Sequence, residues 1–127
     1  MQGLDVGLAP LTAMHGGIEW LIDGHRCDPA KLRDRAAVVG LLDRIVAAMG
    51  LHVVSTAVHA FPGAGGITAM YLLSESHLTI HTFPETGSVT LNAYCCRPRP
   101  PAAWRVLLGE QLGAQDITAS EHVRGKP

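Results

Sequence analysis

The chain of 127 residues is short of cysteine, aromatics, net charge and long apolar runs, and each shortage excludes something. Three cysteines, two of them adjacent at Cys95 and Cys96, make a poor disulfide framework and point to a reduced, cytoplasmic setting. Ten Lys plus Arg against eleven Asp plus Glu leave a net charge of −1, without the basic excess of a nucleic-acid binder. No apolar run approaches the roughly 18 residues of a membrane span. The opening stretch from Met1 to Leu8 has neither the basic start nor the apolar centre of a secretory leader. Hydrophobic residues at 47% and charged residues at 17% exclude a disordered chain. The length suits one domain over 1–127, large enough to bury roughly two-thirds of its unfolded surface.

What is present is a clear alternation of elements. Asp28-Pro29 is a helix cap with proline at the first helical position. Leu32, Val38, Leu41, Leu42, Ile45, Val46 and Met49 then recur at helical spacing until Gly50. A second helix starts at Pro100-Pro101 and carries Trp104, Leu107, Leu108 and Leu112 to Gly113. Runs rich in Val, Ile, Thr and aromatics, at 17–23, 51–61, 67–73, 77–83, 88–95 and 117–122, read as strands. Short links between the middle four make them antiparallel. The expected fold is a two-layer α/β sandwich, a mainly antiparallel sheet with two helices on one face. The other face would then be wet and apolar, so a sheet-to-sheet homodimer is expected.

Polar residues of chemical interest gather between 74 and 96. On a strand, Leu78 and Ile80 face one way and His77, Thr79 and His81 the other. Two histidines four apart on a strand lie roughly 13 Å apart, too far to share a metal, so no metal is expected. A nucleophilic site is the other reading, with Ser76 attacking, His81 carrying protons and a Cys as acid. Spacing alone leaves a plainer one open: Ser76 as a turn residue, the histidines as hydrogen-bonded bystanders and the cysteines as small core residues.

The run Glu75-Ser76-His77-Leu78-Thr79-Ile80-His81-Thr82-Phe83-Pro84-Glu85 resembles the self-cleavage segment of the bacterial S-adenosylmethionine decarboxylases, which are pyruvoyl enzymes. Cys96 sits at the spacing after Ser76 where that family keeps its catalytic Cys. Cys27-Asp28, Gly65-Gly66-Ile67-Thr68 and Glu121-His122-Val123-Arg124-Gly125 extend the resemblance over about 17–125. Thr68 stands where Ser is common, Phe83 for Trp or Tyr, Asn92 for Asp and Glu19 for His, with one extra residue between Phe61 and Thr68.

The resemblance implies cleavage between Glu75 and Ser76, through an ester, to leave a pyruvoyl group derived from Ser76. No pyridoxal phosphate is then needed. The substrate amine forms a Schiff base with that group, which serves as the electron sink for loss of CO2. In the same reading Cys96 reprotonates the α-carbon, His81 serves the elimination step and Thr68 assists it. Glu85 binds the ribose, Phe61 and Phe83 stack on adenine, and Glu19 is a further substrate-binding candidate. The product is the aminopropyl donor for spermidine synthesis. Geometry adds one expectation. Ser76 and His81 are about 16 Å apart along a strand, so His81 should serve Ser76 of the other subunit. Two alternatives stand: a pyruvoyl-dependent ornithine or arginine decarboxylase using Glu19 or Asp23 to hold a cation, and an unprocessed, non-catalytic homologue.

Overall fold

The computed structural model describes residues 15–126; the opening stretch Met1–Leu8 lies outside them. In chain order the elements are β1 (His15–His25), α1 (Pro29–Leu32), α2 (Arg35–Met49), β2 (Val53–Ala60), β3 (Ile67–Leu73), β4 (Ser76–Phe83), β5 (Ser88–Cys95), α3 (Trp104–Leu112) and β6 (Asp116–Lys126). Six strands make one sheet in the order β2-β3-β4-β5-β1-β6, and every neighbouring pair is antiparallel. The α/β sandwich is as expected, with three helices rather than two among the described residues.

The extra helix comes from one aspartate. Asp28 caps a single turn by accepting the Ala30 N–H, with Pro29 at its start. Asp34 then accepts the Ala36 N–H and begins a new helix, interrupting the apolar periodicity with a second cap. Helix α3 starts at Trp104, later than Pro100-Pro101, with Ala103 as the non-helical residue before it. Gly50 at φ 66° closes α2 in the left-handed conformation that glycine adopts without penalty.

The strands alternate as their sequence demands. Ile18, Trp20 and Ile22 of β1, Leu78 and Ile80 of β4, and Leu91 and Ala93 of β5 are buried. They join Val38, Leu41, Leu42 and Ile45 of α2 and Leu108 and Leu112 of α3 in one core. Truncating one such leucine to alanine costs about 2–5 kcal/mol. Thr82 is the buried polar residue among those described. Its Oγ1 donates to the Leu32 carbonyl at 2.7 Å and accepts the Ile67 N–H at 2.9 Å, tying α1 to the β3–β4 pair. Among the described residues, no helix lies over the opposite face of the sheet. Leu21, Met70 and Leu72 lie there at 42–55% exposure, among Glu19, Thr68, His77, Thr79, His81 and Asn92.

Candidate active site

The β3–β4 hairpin turns on only two residues, Ser74 and Glu75, with Leu73 paired to Ser76. Such tight turns normally take positive φ at their central residues to match the twist of the strands. Neither Ser74 nor Glu75 does so; the positive φ falls on the next residue, Ser76, at 149°. That region suits glycine and costs a residue with a Cβ on the order of 1–3 kcal/mol. Strain is therefore concentrated at the Glu75–Ser76 junction.

The residue before it is held on both sides. The Glu75 carbonyl accepts the Cys96 N–H at 2.9 Å, so one backbone donor polarises it. Arg99 grips the Glu75 carboxylate, its Nη2 at 2.6 and 2.7 Å from the two oxygens, and Arg97 stands 3.6 Å away. The Ser76 Oγ lies 3.4 Å from His77 Nδ1. Beyond it a chain of contacts crosses the open face: His77 Nε2 to Asn92 Oδ1 at 3.0 Å, Asn92 Nδ2 donating to Glu19, and Glu19 paired with Arg124. The Asn92 hydrogen bond, with Arg124, holds the Glu19 carboxyl below the usual carboxylate range, although burial opposes this.

The two cysteines separate cleanly. Cys95, the register partner of Ser76, faces the core, where burial and the nearby Glu75 carboxylate push its thiol up to about 11. Cys96 is exposed on the same side of the hairpin tip as Glu75, which its N–H contacts. Of the two, Cys96 is the one open to solvent.

A second cluster sits at the far end of β4. Thr68 and His81 are register partners, and their side chains are hydrogen-bonded to each other. The His81 ring lies 4.5 Å from Phe83 and 5.7 Å from Phe61, centroid to centroid. Phe61, Phe83, His81 and Glu85 line one cavity of about 180 Å³, floored by the Pro62–Gly66 turn. This turn closes through the Phe61 N–H and the Gly66 carbonyl, 2.8 Å apart, with Gly63 and Gly65 at positive φ. Flat aromatic faces beside a carboxylate suit a planar heterocycle carrying hydroxyl groups.

The residues picked from sequence thus fall into two groups. Glu75, Ser76, Cys96 and Glu19 stand at one end of β4; Thr68, His81, Phe61, Phe83 and Glu85 stand at the other. Five residue steps separate Ser76 from His81, about 16 Å on a continuous strand. Glu19 is far from the aromatic cavity and spends its carboxylate on Asn92 and Arg124. His77, Asn92, Arg97, Arg99 and Arg124 were not picked as site residues. His77 carried a signal, since it shares the polar face of β4; its pairing with Asn92 depends on a strand register that composition does not reveal.

Comparison with known proteins adds the following. A family model described as S-adenosylmethionine decarboxylase matches residues 18–125. The chain is 35% identical over 107 residues to the S-adenosylmethionine decarboxylase proenzyme of Clostridium tetani, covering 83% of each chain. It is 34% identical over 99 residues to the protein of the same name from Geobacillus kaustophilus, covering 78% of this chain and 79% of that one. The crystal structure of the adenosylmethionine decarboxylase from Aquifex aeolicus superposes with a TM-score of 0.74 at 33% identity, over 89% of this chain and 93% of that one.

Proposed function

The chain belongs to the S-adenosylmethionine decarboxylase family, and from that premise we propose that it is a proenzyme that cuts itself before Ser76 and then decarboxylates S-adenosylmethionine. The observation that carries this reading is the Glu75–Ser76 junction. A serine with a strained backbone follows a carbonyl already polarised by the Cys96 N–H. Attack of Oγ on that carbonyl replaces the peptide by an ester and removes the strained linkage, while the Cys96 N–H steadies the oxyanion. Removal of the Ser76 Cα proton then expels the Glu75 carboxylate from Cβ. Water displaces the nitrogen as ammonia, leaving a pyruvoyl group at the new amino terminus.

The residues present fit that group: Ser76 is its source, and the exposed Cys96 lies beside it. The pyruvoyl group supplies the electron sink for loss of CO2. Cys96 delivers the proton that takes the place of CO2 on the substrate α-carbon. Phe61 and Phe83 hold the adenine, and Glu85 accepts hydrogen bonds from the ribose hydroxyls. His81, with Thr68, takes the Cα proton during self-cleavage.

These two sets of residues lie about 16 Å apart in one chain, so one chain holds two half-sites. A second copy packed on the open sheet face, related by a twofold axis, would join each Ser76 end to a partner's His81 and aromatic cavity. The half-exposed Leu21, Met70 and Leu72 on that face would be covered by the same contact. We therefore take the working form to be a homodimer with shared sites. No helix among the described residues is long and apolar enough to cross a membrane. The three cysteines are all free, one of them exposed, which suits the reducing cytoplasm.

A basic amino acid as substrate is not favoured. That reading asks Glu19 or Asp23 to hold a cation; Glu19 is occupied by Asn92 and Arg124, and the matching family and relatives are S-adenosylmethionine decarboxylases. The test is the intact mass of the purified protein, which should resolve into fragments 1–75 and 76–127. Borohydride should reduce the larger-numbered fragment at its amino terminus. CO2 should be released from S-adenosylmethionine and not from ornithine or arginine. A chain that stays whole and inert on prolonged incubation refutes the reading.

A further inference from the structure

We infer that His77 is the base that takes the Ser76 hydroxyl proton during self-cleavage, and that Glu19 and Asn92 set the ring tautomer that lets it do so. The inference rests on the self-processing reading, which makes Ser76 a nucleophile and leaves its hydroxyl proton without an acceptor. Within one chain His81 cannot be that acceptor, being five residues along β4 and bonded through Nδ1 to Thr68. His77 Nδ1 is 3.4 Å from the Ser76 Oγ, long for a hydrogen bond but of the kind that tightens as the reaction begins.

The tautomer follows from the contacts one by one. Glu19, paired with Arg124 and held below the ordinary carboxylate range, is an ionised group that can only accept. Asn92 must therefore turn its NH2 toward Glu19, which leaves its Oδ1 toward His77. An amide oxygen also only accepts, so His77 carries its hydrogen on Nε2. The neutral ring then keeps a lone pair on Nδ1, the nitrogen beside Ser76. Around the ring, Tyr94 from β5 lies 5.7 Å away, Leu72 is the register partner from β3, Glu19 comes from β1 through Asn92, and Arg124 reaches Glu19 from β6. Arg124 balances the only carboxylate in that set.

The step balances. As Oγ bonds to the Glu75 carbonyl carbon, its proton passes to His77 Nδ1. The C–N bond then breaks, the proton goes from Nδ1 to the departing Ser76 nitrogen, and His77 returns to its starting state with an ester in place of the peptide. His77 is a catalytic residue in this step; Asn92 and Glu19 are positioning residues.

Chains made by cell-free translation and followed by intact mass provide the test. His77→Ala should slow cleavage about 10²–10⁴-fold, the usual range for a general base, and added imidazole should restore part of the rate. His77→Gln should stay slow. In ¹⁵N-histidine-labelled Ser76→Ala protein, which keeps the ring and cannot cut itself, long-range ¹H–¹⁵N correlation should place the His77 hydrogen on Nε2. Asn92→Leu should abolish that preference and slow cleavage, whereas a merely structural role for Asn92 would leave the tautomer unchanged. Cleavage of His77→Ala within threefold of the unvaried chain, or a hydrogen on Nδ1 in the labelled protein, overturns the inference and leaves self-processing standing. An unvaried chain that never cleaves overturns both.

Discussion

The strain at Ser76 can be weighed with two variants that both lack the nucleophile. Ser76→Ala and Ser76→Gly each remain whole, so their folding can be compared without interference from cleavage. At φ 149° alanine retains the Cβ that makes this region costly, about 1–3 kcal/mol, while glycine escapes it. Against this, glycine gives the unfolded chain extra freedom worth roughly 0.4–1 kcal/mol. At the middle of both ranges the balance favours Ser76→Gly by about 1.3 kcal/mol, the reverse of the usual ranking of alanine and glycine in a strand. With a urea dependence of roughly 1–3 kcal/mol per molar, the unfolding midpoint of the glycine variant should lie about 0.4–1.3 molar higher. Both must be measured at one protein concentration, because association shifts apparent stability. Equal midpoints, or a higher one for alanine, would refute the claim that the junction is strained before it is cut.

Ser76→Ala should stay whole and His81→Ala should process poorly alone, yet in a co-expressed heterodimer up to all of the serine-bearing His81→Ala chains, half of the total, should cut, because their one Ser76 meets an intact His81 across the interface; no cutting between folded partners refutes shared sites. Cys96→Ala should cleave normally and turn over poorly, whereas Cys95→Ala should lose stability from its buried position and keep turnover, as mass and CO2 release will tell. Arg99→Met should destabilise unprocessed Ser76→Ala protein by about 1–3 kcal/mol, since it strips a bidentate partner from the mostly buried Glu75. Arg97→Met should cost far less, its side chain being 75% exposed, and equal losses in urea titrations would sink the distinction. Glu19 has a carboxyl pKa lowered in the folded state, so its contribution is complete above the unfolded value of about 4.3 and is lost as acid brings the pH down through the folded value. Introducing Glu19→Gln into the uncleaved protein should therefore flatten the acid side of a stability-versus-pH curve, and an unchanged acid limb contradicts the assignment.

Much of this was legible in the residues. Alternation from Leu78 to Phe83 placed the two faces of β4 correctly, because a strand that buries one face has no freedom of register. Asp28-Pro29 and Gly50 marked the outer bounds of the first helical region, since capping is chemistry local to a few residues. The break at Asp34 was missed because an aspartate inside an apolar periodicity reads equally well as a solvent-facing helix residue. Phe61, Phe83 and Glu85 were picked by resemblance, and they line one cavity because a glycine-rich turn folds Phe61 back beside β4. The Glu19–Asn92–His77 chain could not be read, since it joins β1, β5 and β4, and long-range register is decided only when the sheet assembles. Arg97 and Arg99 looked like ordinary surface charge until the hairpin tip brought Glu75 to them.

The strand order also governs what self-cleavage leaves behind. A cut before Ser76 assigns β1, β2 and β3 to one piece and β4, β5 and β6 to the other. Across the sheet the pieces then alternate, β2-β3 from the first, β4-β5 from the second, β1 from the first, β6 from the second. Three of the five strand boundaries become contacts between separate polypeptides, and β1 is clasped by the other piece on both edges. Among the described strands each fragment keeps one hydrogen-bonded pair, β2-β3 or β4-β5, and an isolated pair of strands is at best marginal in water. The cut molecule holds together like interlaced fingers, and once pulled apart its return becomes an encounter of two chains, dependent on concentration, where the parent folded alone. Maturation is then a one-way order of assembly, in which the sheet must be woven while the thread is whole and the thread is severed only afterward.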